Sequence, residues 1–161
     1  MPSRKPLLVA LSIVLIALVV AIPSAGPELL NAGTDATTVT IVDEDGDRLG
    51  TVAVTVADTP VERYRGLSDT ESLAPDEGML FVFEEERERT FVMRDMAYPL
   101  DIVFVGSDGT ITTIHTAPVE EDANLTAYTG RARWVLEVNA GWTDEHEVEV
   151  GDRILIDGEA P

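Results

Sequence analysis

From residue 38 onward the apolar residues come in short, β-branched runs, each closed by a turn rich in Gly, Asp or Pro, and this punctuation restricts the chain to a β-rich fold. Residues 39–42 and 50–56 flank Asp43-Glu44-Asp45-Gly46-Asp47, which supplies the turn chemistry of a hairpin. Residues 79–83 and 90–93 read as two further strands joined by a charged tip at 84–89. Residues 100–105 and 110–115 form a hairpin around Gly106-Ser107-Asp108-Gly109, and 133–138 and 153–156 complete a set of about eight short strands. Thr59, Pro60 and Glu62 spell the start of a short helix, with Thr59 as cap, Pro60 in the first position and Glu62 reaching back, and Gly66 ends it. A second helical turn is expected at 140–146, and residues 117–130 are expected to form a long polar loop, either functional or covering, or simply floppy. The expected architecture is mainly β, a compact sandwich or barrel-like domain with one or two short helices.

That domain is preceded by a different kind of segment. Residues 1–5 form a basic head with Arg4 and Lys5, and within 6–22 the sixteen residues from Leu7 to Ile22 carry no charge. As a helix they rise about 24 Å, short of the roughly 30 Å hydrocarbon core but longer than most signal-peptide cores. Ile22-Pro23-Ser24-Ala25 offers small residues near a cleavage point, while Pro23 would stand three before the cut, where a small residue is needed. Two readings stay open, a transmembrane anchor and a cleaved signal helix. Both keep the basic head cytoplasmic and put the domain outside the cytoplasm, at the cell membrane or secreted. Residues 23–37 then form a linker, and 38–161 a single β-rich domain.

Charge narrows the class of partner. Thirty acidic residues face 11 basic ones, and beyond Lys5 the nine remaining bases are all arginine. Phosphates would be repelled, so nucleic acid is excluded as a partner. The acids are spread along the chain instead of being gathered in a tail, which suits a halophilic protein whose self-repulsion is screened by molar salt. Cysteine is absent, which removes disulfides, thiol nucleophiles and thiolate metal sites, and two isolated histidines do not make a structural zinc site. No cofactor and no metal site is expected.

Candidate site residues are polar groups lodged in apolar runs. Asp101 shares a strand face with Val103 and Val105, so it is either buried and paired with Arg94 or Arg133, set at the strand mouth to cap a turn, or committed to a ligand or a proton. Glu137 lies on the face of Val135 and Asn139, either a solvated outer face or, if it converges with Asp101, half of an acid and base pair of the glycosidase kind, roughly 5 to 9 Å apart. His115 ends a strand and could serve as a general base or as a hydrogen-bonded terminus. His146 is expected at the surface. Trp142 is a core plug admitted by Gly141, or a pocket wall. Met93 and Met96 are adaptable packing residues. Arg63 and Arg65 on the short helix pair with carboxylates or build an anion-binding site. Asn124-Leu125-Thr126 is a glycosylation sequon.

The blocks VADTPVERYRGL at 56–67, DEGMLFVF at 76–83, FVM and PLDIVF within 91–104, and VLEVNAGW at 135–142, with a closing Gly151-Asp152, resemble the DUF192 family of domains of unknown function. The resemblance spans about residues 52–156. It implies a compact, mainly β single domain, often secreted or membrane-tethered, and no established activity. The matching positions are Arg63, Gly66, Leu67, Gly78, Met79, Met93, Pro99, Leu100, Asp101, Val135, Glu137, Gly141 and Trp142. Val92 stands where the family commonly has Trp, Ser68 where it commonly has Met, and the cysteines that some members carry in the loop corresponding to 117–130 are missing. The expected function is an extracytoplasmic, membrane-tethered β domain binding a small ligand or an envelope partner, with Met93, Asp101, His115, Glu137 and Trp142 at its site. The alternatives are an envelope glycan hydrolase using Asp101 and Glu137, and an accessory structural domain without a ligand.

Overall fold

The computed structural model describes residues 36–120 and 124–157, so the basic head, the apolar segment and all but the end of the linker lie outside the described residues. Among the described residues no helix is long and apolar enough to cross a membrane. The chain runs β1 (Ala36–Val42), β2 (Arg48–Ala57), α1 (Pro60–Arg65), β3 (Glu77–Phe91), β4 (Leu100–Val105), β5 (Ile111–Ala117), β6 (Tyr128–Asn139), α2 (Trp142–Glu145) and β7 (Arg153–Ile156). The seven strands form one sheet in the order β5-β4-β6-β3-β2-β1-β7. All neighbours are antiparallel except β2 and β3, which run parallel and are connected through α1.

Local chemistry accounts for the turns. The Asp43 carboxylate accepts the backbone N–H groups of Asp45 at 3.0 Å and Asp47 at 2.8 Å, and Gly46 takes φ 88°. In α1 the Thr59 hydroxyl accepts the Glu62 N–H while the Glu62 carboxylate accepts the Thr59 N–H, a complete capping box.

Two expectations are corrected. Residues 79–83 and 90–91 are not a hairpin but two stretches of one strand, β3, because both find their partner in β6, and Val92 and Met93 lie beyond its end. Val82 opposes Trp134 and Arg87 opposes Ala132, so residues 83–86 stand against Arg133 alone and the charged tip is a wide bulge. β6 in turn begins at Tyr128, inside the segment expected to be loop. Of the two architectures expected, the barrel-like one holds and the sandwich of two packed sheets does not. A single sheet curls until its ends meet: Thr110 opposes Arg153, the Ile111 N–H donates to the Asp152 carbonyl at 2.8 Å, and the Ile154 N–H donates to the Gly109 carbonyl at 2.9 Å.

Strand alternation sorts the apolar residues into two cores. The inner face of the curl gathers Val39, Val52, Leu80, Val103, Leu136 and Ile154 around Trp142. On the outer face Phe81, Ile102, Phe104 and Val135 are covered by α1 and the segments that follow it, with Leu67, Met93 and Leu100. β4, covered on both sides, is buried throughout and therefore reads as a continuous apolar run interrupted only by Asp101.

Candidate ligand-binding site

The outer core does not close completely. Between α1 with the turn that follows it, the outer face of β3 and β4, and residues 92–96 lies a cavity of about 430 Å³. Leu67, Phe81, Phe91, Met93, Met96 and Leu100 supply its apolar lining, Arg63, Arg65 and Arg94 its cationic lining, and Glu137 a lone carboxyl. Its two walls are fastened to one another. The Ser68 hydroxyl donates to the Arg94 carbonyl at 2.9 Å, and the Arg94 guanidinium donates to the Tyr64 carbonyl and lies 4.2 Å from the centre of the Tyr64 ring. Arg63 spends its guanidinium on the carbonyls of Asp58 and Val82, the latter at 2.9 Å, and sits over Phe83. Gly66, at φ 54°, lets the chain turn from α1 into the wall, and a Cβ there would touch Phe81 at 3.4 Å as well as straining the backbone.

Glu137 belongs to this cavity because of β6. Alternation along the strand points Val135, Glu137 and Asn139 outward, and register places Met79 of β3 and Ile102 of β4 on either side of Glu137. The face is outer, but it is not solvated. The covering segments leave Glu137 6% exposed, and Asn139 fixes part of that cover by donating to the Ala74 carbonyl at 2.9 Å. Glu137 makes no hydrogen bond or ion pair among the described residues, and burial alone pushes its carboxyl up to about 8. At neutral pH it is a neutral acid with one proton to donate. Nearby, the Tyr98 hydroxyl is buried beside the Thr70 side chain. Burial raises the pKa of that phenol, and the Glu137 carboxyl adds to the effect.

The remaining candidates are placed elsewhere. Asp101 faces the inner side, fully buried, and its partners are not arginines. One carboxylate oxygen accepts the Gly141 N–H at 3.0 Å, the Thr143 N–H at 3.0 Å and the Thr143 hydroxyl at 2.8 Å, while the other accepts the Thr116 hydroxyl at 2.8 Å. It clamps the turn into α2. The sheet separates Asp101 from Glu137, so the paired carboxylates of a glycosidase do not form. Trp142 is a plug of the inner core, its indole N–H donating to Asp76 at 3.1 Å and its ring stacked on His146 at 4.1 Å. The glycine that admits it is Gly50, where a Cβ would lie 2.6 Å from the indole; Gly141, with nothing within 4 Å, serves through its φ of 88°. His146 is half-buried under that stack.

His115 lies on the outer face away from the cavity, between the rings of Phe104 at 5.7 Å and Tyr128 at 5.6 Å, with Nε2 2.9 Å from the Thr129 carbonyl. Arg65 is exposed, 3.6 Å from Asp69. Asn124 is exposed. No group of three His, Asp or Glu side chains among the described residues is placed to hold a metal ion. Of the five ligand-site candidates the structure brings Met93 and Glu137 together, with Arg63 and Arg65 beside them. Phe81 and Phe91 also line the cavity without having been singled out, because each reads as ordinary core in its own run, and Leu67, Met96 and Leu100 were noted only as packing or family-matching positions.

The DUF192 family model, described as Uncharacterized ACR, matches residues 40–156. Two crystal structures share the fold. One is a proposed transcription regulator from Sinorhizobium meliloti 1021, 34% identical, with a TM-score of 0.70 over 78% of this chain and 97% of that one. The other is a protein of unknown function from Novosphingobium aromaticivorans DSM 12444, 30% identical, with a TM-score of 0.68 over 84% of this chain and 93% of that one. No curated protein matches.

Proposed function

The chain belongs to the DUF192 family, and from that premise we propose that it is an extracytoplasmic, membrane-tethered domain that binds a small, largely apolar ligand on the outer face of its sheet. The observation that carries the reading is Glu137, a buried carboxyl without a partner opening onto a cavity of about 430 Å³ lined by apolar side chains and three arginines. Buried polar groups are normally satisfied, and one left free in a cavity of ligand size is satisfied by what enters it. The tether rests on residues 6–22, and the salt-adapted character on the excess of carboxylates. The role named for the Sinorhizobium neighbour does not carry nucleic-acid binding to this chain, whose formal charge is −19.

Methyl spectroscopy of the methionines tests the reading directly. Titrating the full-length chain with tetralin, an apolar bicycle, should shift the Met93 and Met96 methyl resonances saturably, and Met96→Trp, which fills the cavity, should abolish the Met93 response. Absent or non-saturating shifts, or an undiminished response in Met96→Trp, would leave the accessory structural reading in its place.

A further inference from the structure

We propose that the ligand is an uncharged apolar molecule bearing a carbonyl-type oxygen, and that the O–H of Glu137 donates to that oxygen at the inner end of the cavity; this rests on the binding role just proposed. The polar lining consists mainly of donors, and most are already engaged. Arg63 and Arg94 give N–H groups to backbone carbonyls, and the Ser68 hydroxyl gives its proton to the Arg94 carbonyl. Thr90 stands at the solvent edge. Glu137 makes no hydrogen bond among the described residues: its cross-strand neighbours Met79 and Ile102 offer no oxygen, and the nearby Tyr98 hydroxyl is not bonded to it.

The chemistry of the lining separates three ligand classes. A cationic amine would pass three guanidinium groups on the way in, and would leave a desolvated ion pair whose carboxylate has no further donors, an arrangement in which desolvation outweighs attraction. An anionic head would be drawn to the guanidinium groups of the lining and away from Glu137, leaving its proton without an acceptor. A neutral carbonyl compound avoids both costs. It needs one donor, and burial keeps that donor protonated at neutral pH, since the carboxyl is raised to about 8.

A matched series of probes decides the matter: tetralin, 1-tetralone and 1-aminotetralin, titrated into the full-length chain at one salt concentration and read at the Met93 methyl. The measured quantity is the affinity of 1-tetralone relative to tetralin. At pH 6.5 that ratio should be about tenfold higher in the wild type and in Glu137→Gln than in Glu137→Leu, the worth of one hydrogen bond in an apolar site. In the wild type alone it should fall on going to pH 9.5, as the carboxyl loses the proton it donates, and stay level in Glu137→Gln. An unchanged ratio in Glu137→Leu, a ratio independent of pH in the wild type, or a gain by 1-aminotetralin that depends on Glu137 would overturn the assignment. Failure of tetralin itself to bind would overturn the binding role instead, so the two ideas fail separately.

Discussion

Asp101 opposes Val138 and Ile102 opposes Glu137, so two buried carboxyls sit one residue apart in register on opposite faces of the sheet. Their surroundings set different fates. Asp101 receives four hydrogen bonds, two of them from the backbone where the chain enters α2. Asp101→Asn would turn an N–H₂ group toward donors, and should cost on the order of 3 kcal/mol in urea unfolding while leaving tetralin binding to the folded protein intact. Glu137 receives none, and its folded pKa of about 8 lies above the ordinary carboxyl value of 4.5. Because the folded state then holds a proton the unfolded state has lost, stability is full below about pH 4.5 and declines as pH rises toward 8. The decline amounts to something on the order of 5 kcal/mol. Glu137→Gln removes that slope. Urea unfolding at pH 5, 7 and 9 should show the variant overtaking the wild type as pH rises, and parallel curves would mean that Glu137 is solvated or paired.

The turns follow from nearby residues, and the sequence located them accurately. Asp43 with Gly46, the Thr59 capping box and the Gly106–Gly109 turn each act over a few positions, which is why β1, β2, α1, β4, β5 and β7 fell near their expected places. Thr59→Ala should cost about 1 kcal/mol of stability and, by loosening α1, weaken tetralin binding through the cavity wall. The bulge in β3 is a different case, since nothing local says that 79–83 and 90–91 share one partner. It is decided by the length of β6, and it is braced from a distance: Glu86 accepts the Ser107 N–H at 2.8 Å and pairs with Arg131, which together hold its carboxyl down near 2. Period two likewise assigned Glu137 to the face of Val135 and Asn139 correctly. It could not report that α1 and the loops beyond it cover that face, because alternation gives the side on which a residue lies and not what is packed there. Of the residues lining the cavity, Glu137 drew notice in the sequence because its type and its apolar run disagree, whereas Met93, Phe81 and Leu100 read as ordinary packing residues.

Across the whole molecule the acidic excess has few internal counterparts. The ion pairs among the described residues join Arg65 to Asp69, Arg87 to Glu85, Arg94 to Asp95 and Arg131 to Glu86, which leaves most carboxylates facing one another through solvent. Exposed pairs of this kind contribute about 0–1 kcal/mol each, too little to offset a formal charge of −19. Salt relieves such repulsion in one of two ways, by diffuse screening or by ions held in particular carboxylate clusters. Diffuse screening needs no particular arrangement of carboxylates, and its range shrinks to about 3 Å near 1 M. The expected result is a melting temperature that climbs by several degrees or more from dilute buffer to molar KCl. NaCl and KCl at equal ionic strength should give the same curve, and millimolar Mg²⁺ or Ca²⁺ should not substitute for them beyond its own ionic strength. A flat salt profile would remove the halophilic reading, and saturation at millimolar divalent cation would replace screening with a discrete site.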